Sequence, residues 1–201
     1  SSEYGRNKIR TTEKTNLKPE TAYEATKSAA SMLLIGYAKA YALKAIIVRP
    51  YFVYGYHSKQ NLLIPLIINS IIKNKSLNIY RGYHDSIYVK DFIRGIFILF
   101  NKSKLWFPGE IVNMGSGKQI SNYTICREII KIFGNKTGKF KYINKYFKPF
   151  DSDNWISNSN YIYKKYKFKT MYNFRSSLID LKKEYLKKNK NLFNWFDKYL
   201  Y

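Results

Sequence analysis

Apolar positions along this chain repeat at two different periods. Between Thr21 and Ala42 they fall at Ala25, Ala29, Met32, Leu33 and Ala40, the three-and-four spacing of an α-helix. Pro19 and Glu20 stand just ahead of it. Ala45 to Val48 is a short run of the kind buried on both faces of a parallel sheet, and Pro50 ends it. Leu62 to Lys73 and Asp91 to Phe100 read as helices, with Ile79-Tyr80 and Ile87 to Val89 as short strands. Ile111 to Met114 reads as a strand entering the turn Gly115-Ser116-Gly117. Ser121 then caps a helix to about Phe133, its hydroxyl accepting a free N–H of the first turn. Phe140 to Ile143 is strand-like, and Leu178 to Tyr199 is a last helix or helix pair. Ser1 to Gly5 reads as a strand end entering a turn, followed by a polar loop to Lys18. Strands alternating with helices predict an α/β protein with some parallel sheet. No internal repeat is visible.

Composition narrows the class. Hydrophobic residues make up 45% and charged residues 24%, a globular balance. The 201 residues allow one domain with a real core, or parts of two. The chain opens on Ser1 and not on Met, which reads as a processed product or a fragment. No signal segment opens it, and the apolar stretch Leu62 to Ile72 is broken by Pro65 and Asn69. A cytoplasmic protein with no membrane partner is expected. Cys126 is the single cysteine, so no internal disulfide forms and no metal site is expected. Its helical setting suggests packing and not nucleophilic chemistry.

The net charge of +23 invites a nucleic-acid reading. Basic residues are scattered, however, and Tyr, Asn, Ile and Lys are over-used together, as under codon bias in an AT-rich genome. No aromatic cluster matches a nucleic-acid module. No nucleic-acid partner is expected, while a groove for an anionic substrate fits the charge.

Tyr23 and Lys27 lie four apart on the predicted helix, hence on one face. A free phenol is a poor base at neutral pH, and a nearby ammonium favours its ionised form. Such a pair can move a proton to or from a sugar hydroxyl while a cofactor takes or gives a hydride. With 20 Tyr in 201 residues and many Lys, about three such pairs arise by chance. The chain holds four: Tyr4/Lys8, Tyr23/Lys27, Tyr161/Lys165 and Tyr163/Lys167. Spacing alone does not choose among them.

Five segments in order do choose. Ser1-Ser2-Glu3-Tyr4-Gly5 resembles the Ser/Thr-rich strand end, closing in Tyr-Gly, of extended short-chain dehydrogenases/reductases. Pro19 through Tyr23-Glu24-Ala25-Thr26-Lys27 resembles the start of their catalytic helix. Arg49-Pro50-Tyr51-Phe52-Val53-Tyr54-Gly55, Asp85 through Asp91, and Asn113-Met114-Gly115-Ser116-Gly117 resemble their later motifs. The resemblance spans nearly the whole chain. It implies the C-terminal part of a Rossmann-like doubly wound sheet plus a smaller α/β substrate-binding domain. Residues 1–55 would end the NAD(P)-binding domain, and 56–201 would mainly bind substrate, with about 84–103 returning to the first domain.

By the same resemblance the chain is an NAD(P)-dependent nucleotide-sugar epimerase, reductase or dehydratase, with NAD or NADP as cofactor and a nucleoside-diphosphate sugar as substrate. A role in surface polysaccharide precursor synthesis and a homodimer of the complete enzyme are also implied. Tyr23 is the implied acid/base, Lys27 the ribose contact, and Ser1 or Ser2 the hydroxyl beside the substrate oxygen. Pro50, Tyr51, Phe52 and Val53 would lie against the nicotinamide. Glu3, Phe52, Arg81, His84, Lys148 and Asp151 are the implied substrate contacts.

The chain also departs from the pattern. The usual hydroxyl position before Tyr-Gly falls ahead of Ser1, the Asn of the Arg-Pro motif is Phe52, and the Arg before Asp85 is His84. Glu3 fits a dehydratase acid or an epimerase/reductase pattern according to where the gap falls, and the second alignment is preferred. The Gly-rich cofactor turn near the start of such proteins has no counterpart here. An inactive truncated remnant and a basic module binding nucleic acid or another anion are the rival readings. His57 reads as a surface residue, His84 as a phosphate contact or an exposed loop residue, and the tryptophans Trp106, Trp155 and Trp195 as packing anchors.

Overall fold

A computed structural model describes residues 1–134, 140–147 and 154–188. Helix α1 is Ala22–Ala40, followed by strands β1 (Ile46–Pro50) and β2 (Phe52–Tyr54). Helix α2 (Leu63–Ile72) leads to β3 (Leu77–Arg81), β4 (Tyr83–Tyr88) and helix α3 (Val89–Asn101). Then come β5 (Glu110–Met114), β6 (Gln119–Ser121), α4 (Asn122–Phe133), β7 (Phe140–Tyr146), α5 (Asn160–Tyr166) and α6 (Phe174–Lys188). β1 pairs parallel with β5 and β2 parallel with β4, while β4 pairs antiparallel with β6 and β3 parallel with β7. The α/β class with parallel sheet is as the periodicity predicts.

Two apolar clusters hold these elements. One gathers Ile87, Leu99, Val112, Met114, Ile162, Tyr166 and Phe168 around β5. The other packs α2, α4 and α6 through residues such as Ile67, Ile68, Ile125, Ile129 and Leu181. Gly95 lets α3 sit tight on β5, since a Cβ there would stand 2.8 Å from Met114 Sδ. Pro65 falls in the first turn of α2, where its missing N–H removes no helical bond.

Several expectations are corrected. Ser2–Tyr4 is a 3-10 turn and not a strand end, because Tyr4 and Gly5 amides donate to Ser1 O and Ser2 O (3.2 and 2.9 Å). β1 is not buried on both faces: Ile47 and Arg49 are buried, with Ile46, Val48 and Pro50 only partly so. In α1 the apolar stripe Ala25, Ala29, Met32, Leu33 and Ala40 faces outward. Its buried side is Glu24, Ser28, Ser31 and Ala38, small or hydrogen-bonded groups, and Ser31 meets Glu3 of the Ser1–Gly5 turn. Ile87 and Tyr88 end β4, but Val89 already begins α3. β2, β6 and α5 were not visible in the pattern.

The ends of α1 and α4 follow the sequence. Ser121 Oγ accepts from Thr124 N at 3.1 Å. Thr21 Oγ1 accepts from Glu24 N (3.2 Å) while Glu24 Oε2 accepts from Thr21 N (3.1 Å), a reciprocal cap. Thr21→Ala is expected to lower stability by about 1 kcal/mol, read by urea unfolding. Among the described residues no helix is long and apolar enough to cross a membrane, and no group of His, Cys, Asp or Glu could hold a metal ion. Cys126 is buried in the core, and burial pushes its thiol up to about 12.

Candidate active site

The capped start of α1 forms one wall of a cleft of about 540 Å³. Tyr23 and Lys27 stand on that wall one turn apart, with the Lys27 ammonium 5.7 Å from the Tyr23 ring centroid. Tyr23 is 65% exposed, so its hydroxyl is open to a ligand. Ser1, Ser2 and Glu3 line the cleft from the 3-10 turn, and Pro50, Tyr51 and Phe52 from the end of β1 and the start of β2.

The other Tyr/Lys pairs are occupied or lie away from this cleft. Tyr4 is buried, its hydroxyl donating to Asn113 Oδ1 (2.7 Å) and accepting from Arg49 (3.0 Å). Tyr161 and Lys165 both bond the fully buried Glu110 carboxylate, at 2.7 and 2.9 Å. Lys167 closes α5 in a left-handed conformation (φ 59°). Tyr23/Lys27 is the pair of the four that lines the cleft.

Beneath the cleft lies a buried polar layer. Arg49 Nε is 3.2 Å from Glu3 Oε2, an ion pair by distance although not an aligned hydrogen bond. Ser31 of α1 donates to the same Glu3 oxygen at 2.9 Å. Glu3 therefore joins the Ser1–Gly5 turn to β1 and to the helix that carries Tyr23. Asn113 at the end of β5 donates from its amide to Glu13 (2.9 Å), whose carboxyl burial raises above the usual carboxylate range. The Tyr51 hydroxyl is bonded to Thr11, and burial pushes its ionisation well above a free phenol's. Tyr51 thus offers the cleft its ring and not a free hydroxyl.

The far wall comes from β4. His84 stacks on Phe52, with ring centroids 4.8 Å apart. It is partly buried in a strand, not an exposed loop residue, and burial lowers its imidazole to about 4. A neutral ring replaces the charged Arg of the resembled motif. The folded value lies below the ordinary value near 6.5, so the unfolded chain binds the extra proton between these limits. Stability is then full above about pH 6.5 and falls by up to about 3 kcal/mol as pH drops through 4. His84→Gln is expected to flatten that acid slope in unfolding measured from pH 7 to pH 4.

Asp85, next in β4, is fully buried and holds two other segments. It accepts from Ser116 N (2.7 Å), Gly117 N (3.1 Å) and Ser157 N (2.9 Å). At Gly115 a Cβ would come within 2.6 Å of this carboxylate, so the glycine is needed for the approach. Asp85 also places Trp155, whose carbonyl accepts from Asp85 N at 3.0 Å. Trp155 lines the cleft, as do Asn122 and Tyr83, none of which the sequence motifs singled out as ligand contacts.

Of the residues assigned by resemblance, Ser1, Ser2, Glu3, Tyr23, Lys27, Pro50, Tyr51, Phe52 and His84 meet in this cleft. Val53 does not: it packs against the β5 core cluster. Arg81 does not line the cleft either, and its guanidinium lies 5.2 Å from the Tyr146 ring centroid. Lys148 and Asp151 lie outside the described residues. His57 is exposed, as expected.

The profile of the NAD dependent epimerase/dehydratase family matches residues 1–115. The chain belongs to that family. It is 30% identical over 123 residues to a dTDP-D-glucose 4,6-dehydratase of Dictyostelium discoideum, covering 60% of this chain and 28% of that protein. It is likewise 30% identical over 132 residues to the Escherichia coli dTDP-glucose 4,6-dehydratase, covering 62% and 36%. A Bacillus anthracis dTDP-glucose 4,6-dehydratase, solved in complex with NAD, superposes with a TM-score of 0.81 at 25% identity, over 94% of this chain and 60% of that one. A Bacillus cereus UDP-glucuronic acid 4-epimerase, solved with UDP-glucuronic acid and NAD, gives a TM-score of 0.83 at 22% identity with the same coverage, a likeness of fold. The chain of this epimerase/dehydratase family member therefore spans less than two thirds of the length of these relatives. The fold is the Rossmann-like one that the five motifs imply.

Proposed function

We propose that this chain forms the substrate-facing part of an NAD(P)-dependent enzyme that epimerises or reduces a nucleoside-diphosphate sugar. The observation that carries the reading is the cleft itself. It joins the one suitably placed Tyr/Lys pair to the hydroxyls of Ser1 and Ser2 and to the apolar bed of Pro50 and Phe52. Among the described residues neither the Tyr23 hydroxyl nor the Lys27 ammonium is hydrogen-bonded to another side chain, so both are available to hydroxyl-bearing ligands. That donor set fits the ribose and nicotinamide end of NAD(P). The bound cofactor supplies a hydride acceptor and donor. Tyr23 moves the proton at the sugar hydroxyl, Lys27 holds the ribose, and Ser1 or Ser2 orients the sugar oxygen. Residues 1–55 then belong to the cofactor-binding domain and 56–201 mainly to the substrate domain.

Glu3 favours epimerase or reductase chemistry over dehydration. A dehydratase base must be free to take a proton from carbon, and this carboxylate is already engaged by Arg49 and Ser31. Relatives with dehydratase names leave that alternative as the second reading. The outward apolar stripe of α1 is the face on which we place a second copy in a homodimer.

The test is the gene immediately upstream of the codon for Ser1. A frame encoding a strand, a Gly-rich turn and a helix, whose product binds NAD or NADP, is the expected result. A stop codon there would make the chain a remnant of the family without turnover.

A further inference from the structure

A second cavity, of about 700 Å³, lies at the other end of the strands that wall the cleft. Phe52 and His84 face the first cavity; Tyr54, Ser86 and Tyr88, further along the same strands, line the second. The opposite wall is the segment Phe168–Phe174. That segment is fixed, because Asp91 accepts from the amides of Met171 (2.9 Å) and Tyr172 (2.9 Å). The rings of Tyr54 and Tyr88 are fixed as well, by hydroxyl bonds to Ser177 and Asp180. Both are themselves buried in the core, and the aromatic surface that the cavity presents is that of Tyr163, Tyr172 and Phe174, a wall that suits a planar ligand.

Charge and hydrogen bonding specify the ligand further. No Asp or Glu is among the lining residues, whereas Lys118 and Lys169 are. Both lysines are exposed, and neither is ion-paired among the described residues. Ser86 is only 7% exposed and its Oγ has no hydrogen-bond partner. A buried hydroxyl left unpaired costs about 1–3 kcal/mol, so such a group calls for a bound partner.

We infer that this cavity is a second ligand site, for an aromatic anion whose ring lies against the partly exposed rings of Tyr172 and Phe174 and whose negative group meets Lys118 and Lys169, with Ser86 completing a hydrogen bond. The inference does not rest on the role of Tyr23, and it needs no dinucleotide.

Calorimetric titration of the whole chain with phenyl phosphate tests it, with phenol and inorganic phosphate in parallel. Saturable one-to-one binding of phenyl phosphate is expected, with either half-molecule at least about tenfold weaker. Changing Lys118→Glu and Lys169→Glu together, at two exposed positions, is expected to weaken it at least about fivefold. Lys27→Glu, in the catalytic cleft, is expected to leave it unchanged. Absence of saturable binding overturns the inference. So does binding that survives the double change, or that is lost on Lys27→Glu, because the anion then sits elsewhere.

Discussion

Tyr23→Phe is expected to lower turnover by about 10²- to 10⁴-fold in the enzyme that carries this chain, while NAD affinity changes by less than about twofold. The substitution removes one oxygen from a side chain that is 65% exposed. It takes away no buried contact, so the fold and the rest of the cleft stay as they are. What is lost is the group that exchanges a proton with the sugar hydroxyl. Lys27, 5.7 Å from the ring, keeps its position and with it the ribose contact proposed for it. Single-turnover kinetics and a cofactor titration on the same preparation separate the two effects. Retained turnover would remove Tyr23 from the chemistry altogether, and a parallel fall in affinity would assign it to binding.

Arg49→Met carries the largest expected effect on stability, a loss of about 3–5 kcal/mol in urea unfolding. Arg49 is buried to 2% exposure beside Glu3, and the change leaves that carboxylate without its counter-charge. It also removes the donor to the Tyr4 hydroxyl. Adding Glu3→Gln in the same chain should recover part of the loss, because the uncompensated charge is then gone. If the double variant is no more stable than Arg49→Met alone, the cost lies in the packing against Tyr4 and not in the ion pair. The pair bears on the proposed site too, since Glu3 ties the Ser1–Gly5 turn to the helix that presents Tyr23.

The pattern of residues revealed the helices well. α1, α2, α3 and α4 lie within two residues of their expected ends, because their apolar spacing and caps are local properties. The short pieces were not legible. β2 and β6 have three residues each and exist only because β4 lies between them. α5 has seven residues, and its Tyr161, Lys165 and Tyr166 are gathered by Glu110 from a distant strand. Periodicity also misread the direction of α1: an apolar stripe normally faces a core, yet here the buried side is Glu24, Ser28, Ser31 and Ala38.

The site divides in the same way. Tyr23, Lys27, the Ser1-Ser2 pair and the Pro50–Phe52 stretch were visible as ordered motifs, since each sits at a fixed offset from a strand end or a helix start. Trp155, Asn122 and Tyr83 were not: Trp155 reaches the cleft only where Asp85 ties the 154–159 segment to β4, and Asn122 is set beside Tyr83 by its bonds to Tyr80 O and Gly82 O. The sequence by itself determined the class, the ends of α1 to α4 and the family, all of which depend on local spacing or on motif order. The tertiary structure decided which of four Tyr/Lys pairs stands in a cleft, that Glu3 is held by Arg49, and that His84 sits partly buried and neutral against Phe52. Those outcomes depend on which distant groups share a low-dielectric space, and spacing along a chain carries no information about that.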